Sequence, residues 1–247
     1  TNLLLQISEL KFIKIICKIG FPGALQSGLF TCISMVLGRL VAAYGAVPIA
    51  VQKVGSQIES ISWMTAGGFS TALGAFVGQN YGAKQFDRIQ KGYQTTMLLA
   101  LGLGVFATVL LVFFGEPIFS FFLPEAEAIE QGKMYLKILG YSQLFMCIEI
   151  TTQGLFNGLG RTYIPSIVGI ILTGARIPLA YVIGQPHVLG IDGVWWAITL
   201  SSVVKGLVLA GIYFYLSKRQ RLYLKQAPST LEGEGERSSQ ELKLKIE

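Results

Sequence analysis

The feature that most constrains this chain is a series of long stretches without a charged side chain. Residues 19–38, 60–83 and 92–115 contain no Asp, Glu, Lys or Arg. Each stretch has the length of about 20 residues that an α-helix needs to cross the hydrocarbon core of a bilayer. Only 14% of the 247 residues are charged, against about 25% in soluble domains. We therefore predict an integral membrane protein rather than a soluble globule.

The apolar runs predict an all-α bundle of six transmembrane helices. The strands of a transmembrane barrel would alternate apolar and polar residues over segments of about ten, and these runs are continuous. Pro22 and Pro165 are interpreted as helix starts, and Pro178 as the cause of a kink within the fifth span. The predicted spans are 19–43, 49–81, 92–115, 136–158, 165–183 and 194–216, with a re-entrant segment or loop at 118–124.

Basic residues between the spans predict the orientation. Four groups of them fall on one side if there are six crossings, and loops rich in Lys and Arg stay in the cytoplasm. We expect a multi-pass protein of the plasma (inner) membrane with both termini cytoplasmic. Its predicted parts are an amphipathic cytoplasmic linker helix at 1–18, a transmembrane lobe at 19–225 and a disordered cytoplasmic tail at 226–247. The four groups are Lys11, Lys14 and Lys18; Lys84, Arg88 and Lys91; Arg161; and Lys218, Arg219, Arg221 and Lys225.

Ionisable residues inside the predicted spans mark the candidate binding site. Such groups are costly in a bilayer and face either a cavity or a partner. Glu59 and Glu149 are the leading candidates, because carboxylates in a water-filled cavity can bind a proton, Na⁺ or a cationic solute. An interhelical ion pair or a side chain that reaches the interface is the alternative for each. Polar residues on the same helical faces complete the candidates: Gln52, Ser56 and Ser62 near Glu59, and Ser142, Thr152 and Gln153 near Glu149.

A second set of residues is interpreted as structural or gating. Gly74, Gly78 and Gly82 recur on one face of the second span, and small residues at this spacing let helix backbones approach closely. Whether that face only packs or also slides stays open. Lys53, Arg176 and Lys205 are cations inside predicted spans, and Lys53 lies on a different face from Glu59. The gating candidates are Lys53, Arg176, Pro178 and the three glycines.

The motifs of an enzyme or of a metal site are missing from the sequence. It has no GxSxG, HExxH or phosphate-binding GxxxxGK[ST] motif, and its single histidine excludes a multi-histidine metal centre. We expect no enzyme activity, no metal and no cofactor. The net charge of +6 is not gathered into a dense basic patch, so we expect no nucleic-acid partner.

Several segments together resemble the multidrug and toxic compound extrusion (MATE) transporters. The segment VGQNYGAK at 77–84 is the most specific, and its order relative to the others resembles the C-terminal half of such a protein, over about 1–225. The chain begins with Thr1 rather than Met, which fits a processed chain or a fragment better than a native start; whether it is a fragment or a native half-transporter stays open. The other segments are GFPGALQS at 20–27, NGLGRTYIP at 157–165, ARIPLA at 175–180 and GIDGVW at 190–195.

The resemblance implies a twelve-helix antiporter of two six-helix lobes around a central cavity. Such a protein exports organic cations or drugs in exchange for Na⁺ or H⁺, and an N-terminal lobe would be the missing partner. One branch of the family carries an acid on the first helix of this lobe, where residues 19–38 have none and Gln26 is the long polar side chain at that depth. We therefore leave the coupling ion open and include Gln26 among the binding candidates.

Two other functions remain open from the sequence. A flippase for a lipid-linked oligosaccharide, from the same superfamily, would hold a diphosphate in a basic cavity. A non-transporting structural subunit of a membrane assembly would instead pack its polar stripes against partner helices, with no cavity between them.

Overall fold

The structure, a computed structural model, describes the backbone of residues 10–218 and their side chains apart from 10–16, 18 and 19. Every regular element in this range is an α-helix, as the sequence predicts. The helices are α1 (Leu10–Ala42), α2 (Ala46–Gly82), α3 (Phe86–Phe113), α4 (Gly115–Phe122), α5 (Ala126–Gly140), α6 (Gln143–Gly158), α7 (Tyr163–Gly174), α8 (Arg176–Ile183) and α9 (Ile191–Lys218).

Within residues 10–218, four helical stretches are long and apolar enough on their own to cross a bilayer. They agree with the first, third, fifth and sixth predicted spans. On α3, the side chains of Leu98 and Phe113 are 71% and 75% exposed, and exposed apolar surface of this kind fits acyl chains rather than water. The four stretches are Gly20–Ala42, Phe86–Phe113, Tyr163–Ile183 and Ile191–Lys218.

The second predicted span is one unbroken helix, α2, of 37 residues. At about 1.5 Å per residue it is about 55 Å long, which exceeds the hydrocarbon core of about 30 Å. Its first half carries Lys53 and Glu59, and so it is less apolar than the other spans. The helix begins directly after Gly45, whose φ of 115° is a conformation that glycine adopts without strain. This glycine allows the chain to reverse between α1 and α2.

The fourth predicted span is not continuous. It is divided into α5 and α6, with a turn at Tyr141 and Ser142. The hydroxyl of Ser142 donates to the carbonyl of Leu139 at 2.8 Å, and the hydroxyl of Thr108 on α3 donates to the carbonyl of Gly140 at 3.0 Å. Side-chain hydroxyls that take over backbone acceptors compete with the helical hydrogen bonds. The helix therefore breaks here, without a proline.

The fifth predicted span is also divided, between α7 and α8 at Ala175. Pro178 lacks the amide hydrogen that would donate to the carbonyl of Gly174, and its ring crowds that carbonyl. The break therefore lies where the sequence predicts a kink. Whether it acts in gating stays a prediction.

One local prediction is wrong: Pro22 does not start the first helix, because α1 begins at Leu10 and contains Pro22 in its interior. Of the two predictions for residues 118–124, a loop is excluded as far as Phe122, because α4 extends to that residue, and a re-entrant segment stays a prediction. Pro117 lies in the first turn of α4, where a missing amide hydrogen has no helical partner to lose, and Glu116 in that turn is favoured by the helix dipole.

Of the two predicted domain boundaries, only the one at residue 18 lies among the residues that the structure describes. The boundary at residue 18 falls inside α1, which continues through it without a break. Residues 1–9 and the predicted tail at 226–247 lie outside the described range. By its contacts the chain separates into a body that ends at Phe214 and a unit from Tyr215 onward, of which the structure describes residues up to Lys218.

Glycines bring α2 and α6 into close contact. A methyl group on Gly154 would lie 2.5 Å from the carbonyl oxygen of Ser70, and one on Gly158 would lie 2.5 Å from that of Gly74. Gly78 also faces Gly158, at 3.6 Å from its carbonyl oxygen to the position of an added methyl. Small residues allow such an approach where the hydrophobic effect does not drive helices together. Gly82, the third glycine of the predicted face, has no described atom within 4 Å of that position.

Candidate functional site

A polar cavity of about 570 Å³ lies between six helices of the body. It brings together seven residues that the sequence singles out: Gln52, Ser56, Glu59, Ser142, Glu149, Arg176 and Lys205. The other lining residues are Phe30 and Ser34 of α1; Gln57, Ser60 and Trp63 of α2; Leu139 of α5; Gln143, Met146 and Ile150 of α6; and Ile198 and Ser202 of α9.

Glu59, on α2, is held in place by two neutral donors from other helices. The amide of Gln143 donates to Oε1 at 3.0 Å, and the hydroxyl of Tyr135 donates to Oε2 at 3.3 Å. The hydroxyl of Ser62 donates to the amide oxygen of Gln143 at 2.7 Å, which points the Gln143 nitrogen toward Glu59. Tyr135 is fixed in turn by an edge-to-face contact with Trp195, at 5.1 Å between ring centroids. The carboxylate therefore has a defined position on the cavity wall.

Glu149, on α6, forms an ion pair across the bundle. The ammonium of Lys205 on α9 lies 2.8 Å from Glu149 Oε1, and each residue is only 8% exposed. The second carboxylate oxygen, Oε2, is buried and has no hydrogen-bond partner among the described residues. Glu149 is therefore paired between helices and also lines the cavity, and its binding of an ion or a solute stays a prediction.

Arg176, the first residue of α8, is buried and makes no direct ion pair with an acid in the described range. It is 7% exposed. Its Nε donates to the hydroxyl of Ser201 at 3.1 Å and its Nη2 to that of Ser202 at 2.9 Å. The hydroxyl of Ser201 donates to the carbonyl of Leu172 at 2.7 Å, so its lone pairs face the guanidinium. Hydroxyls fix the position of this cation but do not neutralise it.

Three of the other candidates lie elsewhere. Gln26 packs its side chain against Gly169 of α7. Lys53 lines a separate pocket of about 200 Å³ between α1 and α2, which Gln52 and Ser56 also border. Gln153 is not among the residues that line the cavity. The amide oxygen of Gln52 is buried and lacks a hydrogen-bond partner within the described part of the chain.

The sequence analysis does not identify the residues that donate hydrogen bonds to Glu59. Gln143 and Tyr135 are separated from Glu59 by 84 and 76 positions, so no local periodicity links them. Tyr135 lies one position before the predicted fourth span, and Gln143 directly follows the turn that divides it. A cluster of polar residues next to a glycine inside an apolar run, here at 140–143, is the signal that could indicate such a site.

An apolar cavity adjoins the polar one. It also has a volume of about 570 Å³, and Gln57 borders both. Its walls come from α2, α3 and α4 and include Ile61, Leu103 and Phe106.

The sequence of the chain matches a known protein family. The MatE family model matches residues 22–182, which is more than half of the chain and runs from α1 to α8. The chain belongs to the MatE family. The match includes Glu59, Glu149 and Arg176, whereas Lys205 lies beyond it. MatE membership and the helical stretches above make the chain a multi-pass membrane protein.

Relatives of this MatE chain include proteins named for drug resistance. The Probable multidrug resistance protein NorM of Thermotoga maritima is 30% identical over 183 residues, which cover 74% of this chain and 39% of that protein. The Probable multidrug resistance protein YoeA of Bacillus subtilis is 24% identical over 209 residues, which cover 84% of this chain and 45% of that protein. The chain thus spans less than half the length of these relatives.

A solved structure supports the MatE fold. The Vibrio cholerae MATE transporter VcmN in the bent form aligns with a TM-score of 0.79 at 18% identity. The alignment covers 91% of this chain and 51% of the VcmN chain. At this identity the likeness concerns the fold alone.

Proposed function

We propose that this chain is the C-terminal six-helix lobe of a secondary transporter that exports organic cations and drugs in exchange for Na⁺ or H⁺. The observation that carries the proposal is the cavity that gathers Glu59 and Glu149 from separate helices. The names of the relatives support drug efflux, and a chain of under half their length suits one lobe of two. The partners would then be the bilayer, an N-terminal lobe and a small organic cation.

The proposed chemistry is competition for carboxylate oxygens. A cavity inside a bilayer strengthens electrostatic attraction, so a carboxylate there binds a cation or a proton more firmly than it does in water. Glu59 is positioned by neutral donors, and Glu149 Oε2 and the amide oxygen of Gln52 are buried acceptors that have no hydrogen-bond partner among the described residues. If the coupling ion and the cargo bind the same oxygens, the site holds only one of them at a time. A transporter that binds the ion on one side of the membrane and the cargo on the other then moves them in opposite directions.

The same helices supply the proposed movement. The close backbone contact between α2 and α6 would let the two helices slide past each other, because Gly74, Gly154 and Gly158 carry no side chain. The break before Pro178 places a bend next to Arg176. Transporters of this kind move bundles of helices around a binding site near the membrane midplane.

The cavity also helps to distinguish transport of a cation from the two alternative functions, a structural subunit and a flippase for a lipid-linked oligosaccharide. A structural subunit would have its polar stripes packed away, whereas here they face a cavity. A flippase would need cationic groups for a diphosphate, and one of the two cations at this cavity, Lys205, is already paired with Glu149. Transport of a solute with a positive group is therefore the better supported function.

Ion-driven flux tests the proposal. The full gene product that contains this sequence would be reconstituted in liposomes loaded with rhodamine 123, a fluorescent cation. We expect efflux that accelerates when an inward Na⁺ or H⁺ gradient is imposed, with protein-free liposomes as the control. Efflux that ignores both gradients would contradict antiport, and no efflux at all would contradict transport.

A further inference from the structure

A groove lies between α3, α6 and α9, apart from the polar and the apolar cavity. It has a volume of about 430 Å³ and shares no lining residue with either of them. Leu98 of α3 and Phe214 of α9 line it and are 71% and 67% exposed, so the groove opens onto the surface of the body. In a membrane-spanning bundle, exposed apolar surface of this kind meets acyl chains rather than water.

The walls of the groove suit a hydrocarbon chain and not a charged solute. None of its lining residues is charged. The hydroxyls of Tyr93 and Thr152 share a hydrogen bond at 3.0 Å, and the rings of Tyr93 and Tyr213 pack with their centroids 4.3 Å apart. The Tyr93 hydroxyl is therefore satisfied within the bundle. A charged group that entered the groove would lack a partner, which is costly, whereas a hydrocarbon chain needs none.

The groove has the length and the depth of one leaflet. On α3 its lining residues run from Tyr93 to Leu101, eight positions or about 12 Å of helix. They begin at the second residue of the charge-free stretch 92–115, the part of α3 that lies within the hydrocarbon core. Half of a core of about 30 Å is about 15 Å. The groove thus follows α3 from one membrane surface nearly to the midplane, as an acyl chain does.

The end of the groove at that membrane surface is basic. Residues 84–91 contain three cations, and Asp87 is the one acid among them. Lys91 precedes Gln94 of the groove by three positions, so the two lie on the same side of α3. Lys91 is exposed and takes part in neither ion pair of the described residues. Its ammonium can therefore bind an anion, and basic sites between helices at the cytoplasmic surface bind the headgroups of anionic lipids.

We propose that this groove binds an anionic glycerophospholipid, with one acyl chain along α3 between Tyr93 and Leu101 and the phosphate on Lys91. Gln94 is exposed and lies one turn inward from Lys91, at the level of the glycerol esters. A lipid in this position contacts all three helices, so its binding stabilises their packing. The inference concerns the surface of the body and holds whether or not the polar cavity transports a cation.

Lipid binding to the full gene product in detergent tests the proposal. Native mass spectrometry measures the dissociation constant of the first bound molecule of palmitoyl-oleoyl phosphatidylglycerol (POPG) and of the phosphatidylcholine with the same chains (POPC). We expect POPG to bind at least about fivefold more tightly than POPC. Lys91→Gln should weaken POPG binding by about fivefold, as for one cation at an anionic membrane surface, and leave POPC binding unchanged. Ala210→Phe, which fills the groove from α9, should weaken the binding of both lipids.

Two matched variants are the controls. Arg39→Gln removes an exposed cation from the last turn of α1, and Val105→Phe adds a phenyl ring at an exposed position of α3 outside the groove. Both should bind POPG as the wild type does.

Three results would overturn the proposal. The first is POPG binding that either Lys91→Gln or Ala210→Phe leaves unchanged. The second is equal affinity of the wild-type protein for POPG and POPC, a comparison that needs no variant. The third is a wild-type protein that binds neither lipid, because another part of the protein would then cover the groove. None of these results bears on ion-driven efflux, so the proposed function is tested separately.

Discussion

Lys205→Met removes the cation that compensates Glu149 in the interior of the bundle. Glu149 would then be a buried carboxylate with no ionic partner in direct contact. Both residues are only 8% exposed, so water from the cavity would replace the ammonium only in part. We expect this single change to destabilise the protein strongly.

The distance between the two charges sets the magnitude. At 2.8 Å, and with an effective dielectric constant of about 20, the attraction is about 6 kcal/mol. The cost of desolvating both ions offsets most of it, so removing one partner of a buried pair costs about 3–5 kcal/mol, while replacing both by apolar residues is close to neutral. Glu149→Leu should therefore destabilise like Lys205→Met, and the double variant should recover most of the loss.

Thermal unfolding in detergent, followed by tryptophan fluorescence, measures this cycle. A change of 1 kcal/mol shifts the Tm of a body of 150–250 residues by about 2–4 °C, so each single variant should unfold about 6–20 °C below the wild type. The double variant should unfold near the wild-type temperature. Single variants as stable as the wild type, or a double variant no more stable than the singles, would refute the reasoning.

Two further predictions concern α2 and its contact with α6. Gly154→Ala should destabilise the protein by about 1–3 kcal/mol, because the added methyl group would lie 2.5 Å from the carbonyl oxygen of Ser70. Gly82→Ala, which has no described atom within 4 Å of the added methyl, should leave the Tm unchanged, and equal effects of the two variants would argue against the α2–α6 contact. Glu59→Gln should slow ion-driven rhodamine 123 efflux at least about tenfold at unchanged membrane level. Glu116→Gln, at an exposed acid of α4, should retain efflux, and retained efflux in Glu59→Gln would remove that residue from the mechanism.

The membrane spans could be predicted because the cost of charge in lipid acts on each residue separately. Residues 92–115, without a charge, correspond to α3 within a few positions. Breaks in the helices depend on contacts with other helices. The turn at Tyr141 and Ser142 involves the hydroxyl of Thr108 on α3, a partner that no local pattern reveals. Pro178 could be interpreted correctly, since a proline acts on its own helix, whereas Pro22 is accommodated inside α1.

The site was predictable to the extent that it lies along single helices. The stripe of Gln52, Ser56 and Glu59 follows from helical spacing, and the structure places all three on the cavity. Gln26 is a candidate by its depth in the membrane, but depth does not determine the direction of its side chain, which packs against α7. The pairing of Glu149 with Lys205 joins helices that lie far apart in sequence, so only the fold shows it.

The central claim is that Glu59 and its neighbours face one aqueous cavity that the cargo occupies. Thiol labelling tests it most directly, in the full gene product with its native cysteines replaced, three of which are Cys17, Cys32 and Cys147. We predict that a cysteine at Ser56 reacts with a membrane-impermeant cationic methanethiosulfonate, that rhodamine 123 slows this reaction, and that a cysteine at the outward-facing Leu98 does not react. An unreactive cysteine at Ser56, or one that the dye does not protect, would contradict the claim.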